Sequence, residues 1–278
     1  MQKELNIEID DFVFNVIYSE SQNRGLPILL LHGFTGNARD LSFLAEYIPA
    51  DFIIVSPDLP GHGKSKPIEL TENYTIDAII EKLNLLIKIL EFEKTAILGY
   101  SMGGRIAYSF AAKYPQSVSA LIIESSTPGI ADKKEREERR KYDYALAEKI
   151  QHEGLCKFVE FWLSQPLFSS LKEIDKRLYE KIRLEKLSNN PLGLVNSLRY
   201  TGTGSMEPVW DKLQSFQFPV LLINGSLDKK YAEINKLASA EIRNSKVIEI
   251  PNAGHNTHLE NPGMFVNSII DFLRESVK

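Results

Sequence analysis

Gly99-Tyr100-Ser101-Met102-Gly103 stands between an apolar run, Thr95-Ala96-Ile97-Leu98-Gly99, and a stretch of helical spacing from Arg105 to Tyr114. This order predicts a serine on a sharp turn from strand to helix. Small residues on either side allow a strained backbone that lifts the hydroxyl clear of the chain, and the following helix directs its positive end at the site. Ser101 is therefore the candidate nucleophile or base. A Gly-x-Ser-x-Gly match also arises by chance, so the rest of the chain decides what it means.

A serine hydroxyl needs an imidazole to take its proton, and the imidazole needs an acid to hold its tautomer and stabilise its charge. Both follow, in the order Ser, Asp, His. Phe218 to Asn224 reads as a buried strand, with Gly225-Ser226-Leu227-Asp228 as the loop at its end. Lys246 to Ile250 is a further short strand, followed by the loop Pro251-Asn252-Ala253-Gly254-His255. Asp228 and His255 thus fall just past consecutive strands, where a doubly wound sheet gathers its functional groups. Taken singly, Asp228 also suits a helix N-cap, and His255 a loop hydrogen bond.

The same logic predicts an oxyanion hole near the amino end. Pro27 to Leu31 is a strand, and His32-Gly33-Phe34-Thr35-Gly36 is a glycine-bearing loop that can approach a ligand closely. The backbone N–H groups of Phe34 and Met102 are the expected donors. Four such loops in this order resemble the α/β-hydrolase fold, which implies a mostly parallel central sheet flanked by helices.

With 278 residues and 43% hydrophobic content, the chain can bury a large core. A net charge of -4 and a pI of about 5.8 leave no basic footprint for nucleic acid. The lone cysteine, Cys156, cannot close an internal disulfide; it points to a reducing compartment and is expected as a small buried hydrophobe. Met1 to Glu8 carries acids where a secretory signal needs an apolar stretch, and no run approaches the ~18 apolar residues that span a bilayer. A cytoplasmic location is expected, with no membrane span. His32, His62, His152, His255 and His258 lack the spacing with acids that suggests a metal site.

Leu5 to Ile17 alternates in the manner of paired strands, and strand and helix patterns then alternate as far as Glu124. Past Pro128-Gly129 the character changes. Charge-rich helical patterns run over Lys133 to Ile150, Gly154 to Leu163 and Glu173 to Leu187, and no strand interrupts them. The expected organisation is an α/β-hydrolase core of residues 1–129 and 206–278, with residues 130–205 inserted as a helical cap over the catalytic loops.

Arg105 lies one helical turn after Ser101, on the same face. A guanidinium on a helix packed against a sheet suffers a large desolvation penalty unless it faces a pocket or meets an acid. An ion pair with Glu124 is one reading; an anion anchor beside the serine is the other. Arg136, Arg139, Arg140, Arg177, Arg183 and Arg199 follow in the inserted segment, most of them suited to a solvated helix face. Any that turned inward would suit a carboxylate, which the planar fork binds bidentately. Trp162 reads equally as a core aromatic or a pocket wall.

Several stretches together resemble one branch of the α/β hydrolases. They are Gly99 to Arg105, Glu124 to Gly129, Glu135 to Arg139 with Asp143, Phe161 to Phe168, Leu198 to Gly204, and Ala253 to His258. They are similar to the 2-succinyl-6-hydroxy-2,4-cyclohexadiene-1-carboxylate synthase family of menaquinone biosynthesis, over core and cap alike. The resemblance implies a lyase that eliminates pyruvate from a small anionic polycarboxylate, with no metal or organic cofactor. By motif position it implies substrate contacts at Tyr100, Arg105, Arg139, Trp162 and Arg183, with Arg199 competing for the last place. Tyr231 stands where similar sequences often carry phenylalanine. The alternative is a carboxylesterase or carbon-carbon bond hydrolase using the same serine, histidine and aspartate.

Overall fold

A computed structural model describes residues 2–19, 25–48 and 52–276 of the chain. Its strands are β1 (Gln2–Ile9), β2 (Phe12–Ser19), β3 (Leu26–Leu31), β4 (Phe52–Pro57), β5 (Thr95–Tyr100), β6 (Val118–Glu124), β7 (Val220–Gly225) and β8 (Ser245–Ile250). They form one sheet in the order β1-β2-β4-β3-β5-β6-β7-β8. β2 pairs antiparallel with β1 and β4, and every other neighbouring pair is parallel.

The helices are α1 (Arg39–Ser42), α2 (Ile76–Ile89), α3 (Met102–Lys113), α4 (Lys133–Ser164), α5 (Lys176–Leu187), α6 (Pro191–Tyr200), α7 (Lys229–Glu241), α8 (Thr257–Glu260) and α9 (Pro262–Ser276). β4, β5 and β7 are buried along their whole length, as strands covered on both faces must be. Their side chains alternate between two cores. Leu29, Leu31, Ile97, Leu121, Ile123 and Leu222 pack with α2, α3 and α7, while Ile28, Leu30, Leu98, Ile122, Leu221 and Ile223 pack with α1 and α9. The mostly parallel sheet with helices on both faces is the expected architecture.

Between β6 and β7, α4, α5 and α6 build a third apolar cluster that includes Leu146, Ile150, Phe158, Leu163, Leu171, Leu194 and Leu198. α4 is two helices joined at Gly154, whose φ of 82° and ψ of 164° are not helical. α6 was not anticipated from the sequence. It is a regular helix nonetheless: Asn190 caps it by accepting from the N–H groups of Leu192 and Gly193, and Pro191 occupies the first turn. Cys156 departs from expectation too. It is exposed, just past the break at Gly154, with Sγ directed at Glu160 Oε1 one turn along. Among the described residues, no helix is long and apolar enough to cross a membrane, and no trio of His, Cys, Asp or Glu could hold a metal ion.

Candidate active site

Ser101 stands between the end of β5 and the start of α3, which it precedes as the N-cap residue, with φ 50° and ψ -105°. A left-handed φ at a residue with a side chain costs of order 1–3 kcal/mol and persists only where its surroundings hold it. Here its N–H donates to the Glu124 carbonyl at 2.9 Å, and its own carbonyl accepts from Ser126 Oγ at 2.6 Å and from the Arg105 N–H at 3.2 Å. The flanking glycines make the turn sterically possible. A Cβ on Gly99 would fall 2.4 Å from the Gly103 carbonyl oxygen, and one on Gly103 would fall 2.0 Å from that of Leu31.

The loops after β7 and β8 bring the acid and the imidazole to this turn. His255 Nε2 is 3.0 Å from Ser101 Oγ, and His255 Nδ1 is 2.8 Å from Asp228 Oδ2. A carboxylate only accepts, so Nδ1 carries the proton and Nε2 is free to accept from the serine hydroxyl. Asp228 also caps α7, its Oδ1 accepting from the Tyr231 N–H at 3.3 Å. Asp228 thus meets the imidazole with one oxygen and the start of α7 with the other. Tyr100, Phe168 and Tyr231 pack around the imidazole with ring centroids 4.9 to 5.9 Å away.

A second carboxylate supports the histidine loop from below. Glu124, fully buried at the end of β6, accepts from Thr257 Oγ at 2.6 Å, the His258 N–H at 3.0 Å and His258 Nδ1 at 2.8 Å. The His258 ring lies edge-on to Tyr100, whose hydroxyl accepts from Asn256 Nδ2 at 2.7 Å. Burial pushes the Tyr100 hydroxyl well above the usual phenol range, so it keeps its proton. Sequence reasoning gave Asn256 and His258 no part in this; their only signal is closeness to His255.

Ser101, Phe34, Met102, Tyr100, Arg105, Arg139 and Trp162 line one cavity of about 520 Å³. Among the described residues, the N–H groups of Phe34 and Met102 donate to nothing. Behind the Phe34 loop, His32 accepts from the Leu59 N–H on Nε2 at 3.0 Å and donates from Nδ1 to the Gly33 carbonyl at 2.8 Å. Those two bonds require a neutral ring, and burial lowers its pKa accordingly.

Arg105 is only 8% exposed, and its Nη1 donates to the Thr201 carbonyl at 2.6 Å. It makes no ion pair among the described residues, and Glu124, the acid expected on one reading, is occupied by Thr257 and His258. Burial draws the guanidinium down to a pKa of about 10, with the neighbouring Arg139 adding to the effect, so it stays cationic at neutral pH. Arg139 reaches the cavity as well, with Nε on Asp143 Oδ1 at 2.7 Å. Trp162 is both core and wall: it packs with Phe34, Phe158 and Phe168 and also faces the cavity, its buried Nε1 without a partner among the described residues.

Arg183 is not brought to this cavity. α5 turns Leu178, Lys181, Ile182, Glu185 and Lys186 inward, a stripe of helical period, and Arg183 sits roughly 130° around the helix from the middle of that stripe at 100° per residue. It faces outward and pairs bidentately with Glu180, Nε to Oε2 at 2.9 Å and Nη2 to Oε1 at 2.8 Å. Arg199 does not replace it. Its Nη2 donates to Gln151 Oε1 at 2.8 Å beside a separate surface groove. The charged groups that do line the cavity unannounced include Asp40, Lys186 and Lys230. No sequence motif marks them, although Lys186 shares the inward register of Ile182.

The alpha/beta hydrolase fold model matches residues 27–262, and the chain belongs to that family. Several of its relatives share one activity name. A Bacillus subtilis (strain 168) protein with the provisional name 2-succinyl-6-hydroxy-2,4-cyclohexadiene-1-carboxylate synthase is 38% identical over 97% of this chain and 98% of its own. The Serratia proteamaculans synthase of that name is 30% identical over 88% and 92%. The solved structure of MenH from S. aureus superposes with a TM-score of 0.89 at 32% identity, over 94% of this chain and 98% of that one. A thermophilic esterase from Thermogutta terrifontis, solved with malate bound, superposes with a TM-score of 0.83 at 26% identity, over 99% and 98%.

Proposed function

We propose that this chain is a lyase of menaquinone biosynthesis, converting 2-succinyl-5-enolpyruvyl-6-hydroxy-3-cyclohexene-1-carboxylate to 2-succinyl-6-hydroxy-2,4-cyclohexadiene-1-carboxylate and pyruvate. One observation carries the reading: Arg105, buried and without a carboxylate partner among the described residues, lines the same cavity as Ser101 one helical turn away. A desolvated cation of this kind suits an anionic ligand and is wasted on a neutral ester. The names of the relatives point the same way.

In this mechanism Ser101 Oγ, its proton drawn toward His255 Nε2, removes a proton from the cyclohexene ring. The electron pair moves into the ring, the bond between ring carbon and enolpyruvyl oxygen breaks, and pyruvate leaves as its enolate before taking up a proton. Asp228 holds the imidazole in the accepting tautomer and stabilises the imidazolium. The N–H groups of Phe34 and Met102 stabilise the charge that develops on the substrate's oxygen. Tyr100, Arg105, Arg139 and Trp162 form the substrate wall, and residues 130–205 act as the cap that completes it.

Simple ester hydrolysis is the second reading, favoured by the likeness to the esterase. Supplying the cyclohexene substrate and following pyruvate, beside an activated neutral ester, separates the two. Pyruvate release at a kcat/KM far above ester cleavage supports the lyase; ester cleavage with an acyl burst and no pyruvate contradicts it.

A further inference from the structure

His255 is held through its ring by Asp228 and Ser101, and through its backbone by another carboxylate. Glu260, the last residue of α8, turns both oxygens back toward the start of that helix. Its Oε2 accepts from the Gly254 N–H at 2.7 Å and its Oε1 from the Asn256 N–H at 3.1 Å. These are the residues on either side of His255, and both are buried. Neither N–H has another acceptor among the described residues. A buried amide left without an acceptor is costly, so the carboxylate fixes how both peptide groups are turned.

The surroundings leave this loop little freedom. The Glu260 N–H donates to the Asn256 carbonyl at 2.9 Å, closing one helical turn that returns the side chain to the loop. From the inserted segment, Ser170 presses on Gly254: a Cβ there would fall 2.0 Å from Ser170 Oγ. Glu124 acts further on, at Thr257 and His258, and does not touch the residues flanking the imidazole. Glu260 itself is no part of the cavity wall, although its neighbour Leu259 is. Its carboxylate therefore acts on the histidine rather than on a ligand.

Resting on the proton relay of the reading above, we propose that Glu260 is a positioning residue for His255. By gripping the chain before and after the imidazole, it lets Nε2 meet Ser101 Oγ while Nδ1 keeps Asp228. Proton transfer needs both bonds at once, and a drift of about an ångström in such a group costs on the order of 100-fold in rate.

The test is steady-state pyruvate release from the cyclohexene substrate by wild type, Glu260→Ala and Glu260→Gln, at a temperature where circular dichroism shows each protein folded. Glutamine has one acceptor oxygen and so keeps one of the two backbone bonds; alanine keeps neither. The clamp predicts a kcat roughly 10- to 100-fold lower for E260A, with KM within about twofold of wild type and E260Q in between. A folded E260A with kcat within twofold of wild type overturns it, whatever its melting temperature, and makes Glu260 a helix-capping residue only. A raised KM at unchanged kcat overturns it too. If E260A does not fold, E260Q decides: a kcat equal to wild type overturns the clamp, and a loss at unchanged KM supports it. An activated neutral ester, assayed alongside, keeps the two readings apart. Ester cleavage without pyruvate release by the wild type overturns the lyase reading alone, and the ester kcat of the variants then judges the clamp by the same limits. Absence of both activities overturns the relay, and the clamp with it.

Discussion

Glu124 accepts a hydrogen bond from His258 Nδ1 at 2.8 Å, three residues beyond the histidine that meets Ser101. Both groups are shut off from water, and the carboxylate also holds Thr257 Oγ and the His258 N–H. Glu124→Ala should cost about 3–5 kcal/mol of stability, because it strands buried donors. Urea unfolding measures it, and a loss below 1 kcal/mol would show that the network is not holding the histidine loop.

Arg105→Met should raise KM for the polycarboxylate substrate at least tenfold, the equivalent of about 1.5–3 kcal/mol for a hydrogen bond to a charged group. Its melting temperature should stay near wild type without ligand, since the lost desolvation penalty offsets the lost bond to Thr201. An unchanged KM with a collapsed melting temperature would make Arg105 a structural residue.

Gly103→Ala should destabilise by about 3 kcal/mol, the upper end of overpacking costs, because the new methyl meets a strand carbonyl that cannot move aside. Denaturant midpoints report it. A change within 0.5 kcal/mol would mean that the start of α3 adapts freely.

Asp40 gives a signed pH effect. Burial raises its carboxyl from the ordinary 3.8 to about 6, so between those values the folded chain holds a proton that the unfolded chain has lost. Its contribution to stability therefore falls as pH rises through that window. Asp40→Asn has no such slope, and the stability of the variant relative to wild type should grow from pH 4 to 6 and then level. A gap that is flat or narrows would contradict the buried carboxyl.

The sheet was legible because aliphatic runs such as Leu29 to Leu31 and Leu221 to Ile223 are buried on both faces and end in loops with distinctive residues. The meeting of Ser101, Asp228 and His255 was readable for the same reason: each follows its own strand. The cavity walls were less so. Whether Arg183 or Lys186 turns inward depends on how α5 is rolled against Phe34 and its neighbours, and three residues of sequence separation do not record that angle. α6 went unnoticed although Asn190-Pro191 is a standard helix start, since Gly193 and its short length weaken the pattern. Glu124 and His258 are 134 positions apart, and no local periodicity links such a pair.

The most direct test of the account is pyruvate release by Ser101→Ala, with circular dichroism to establish its fold. Removing the hydroxyl that takes the ring proton should slow release by at least about a thousandfold. Wild type should show no acyl-enzyme burst. A folded Ser101→Ala protein that releases pyruvate near the wild-type rate would contradict the proposed proton relay.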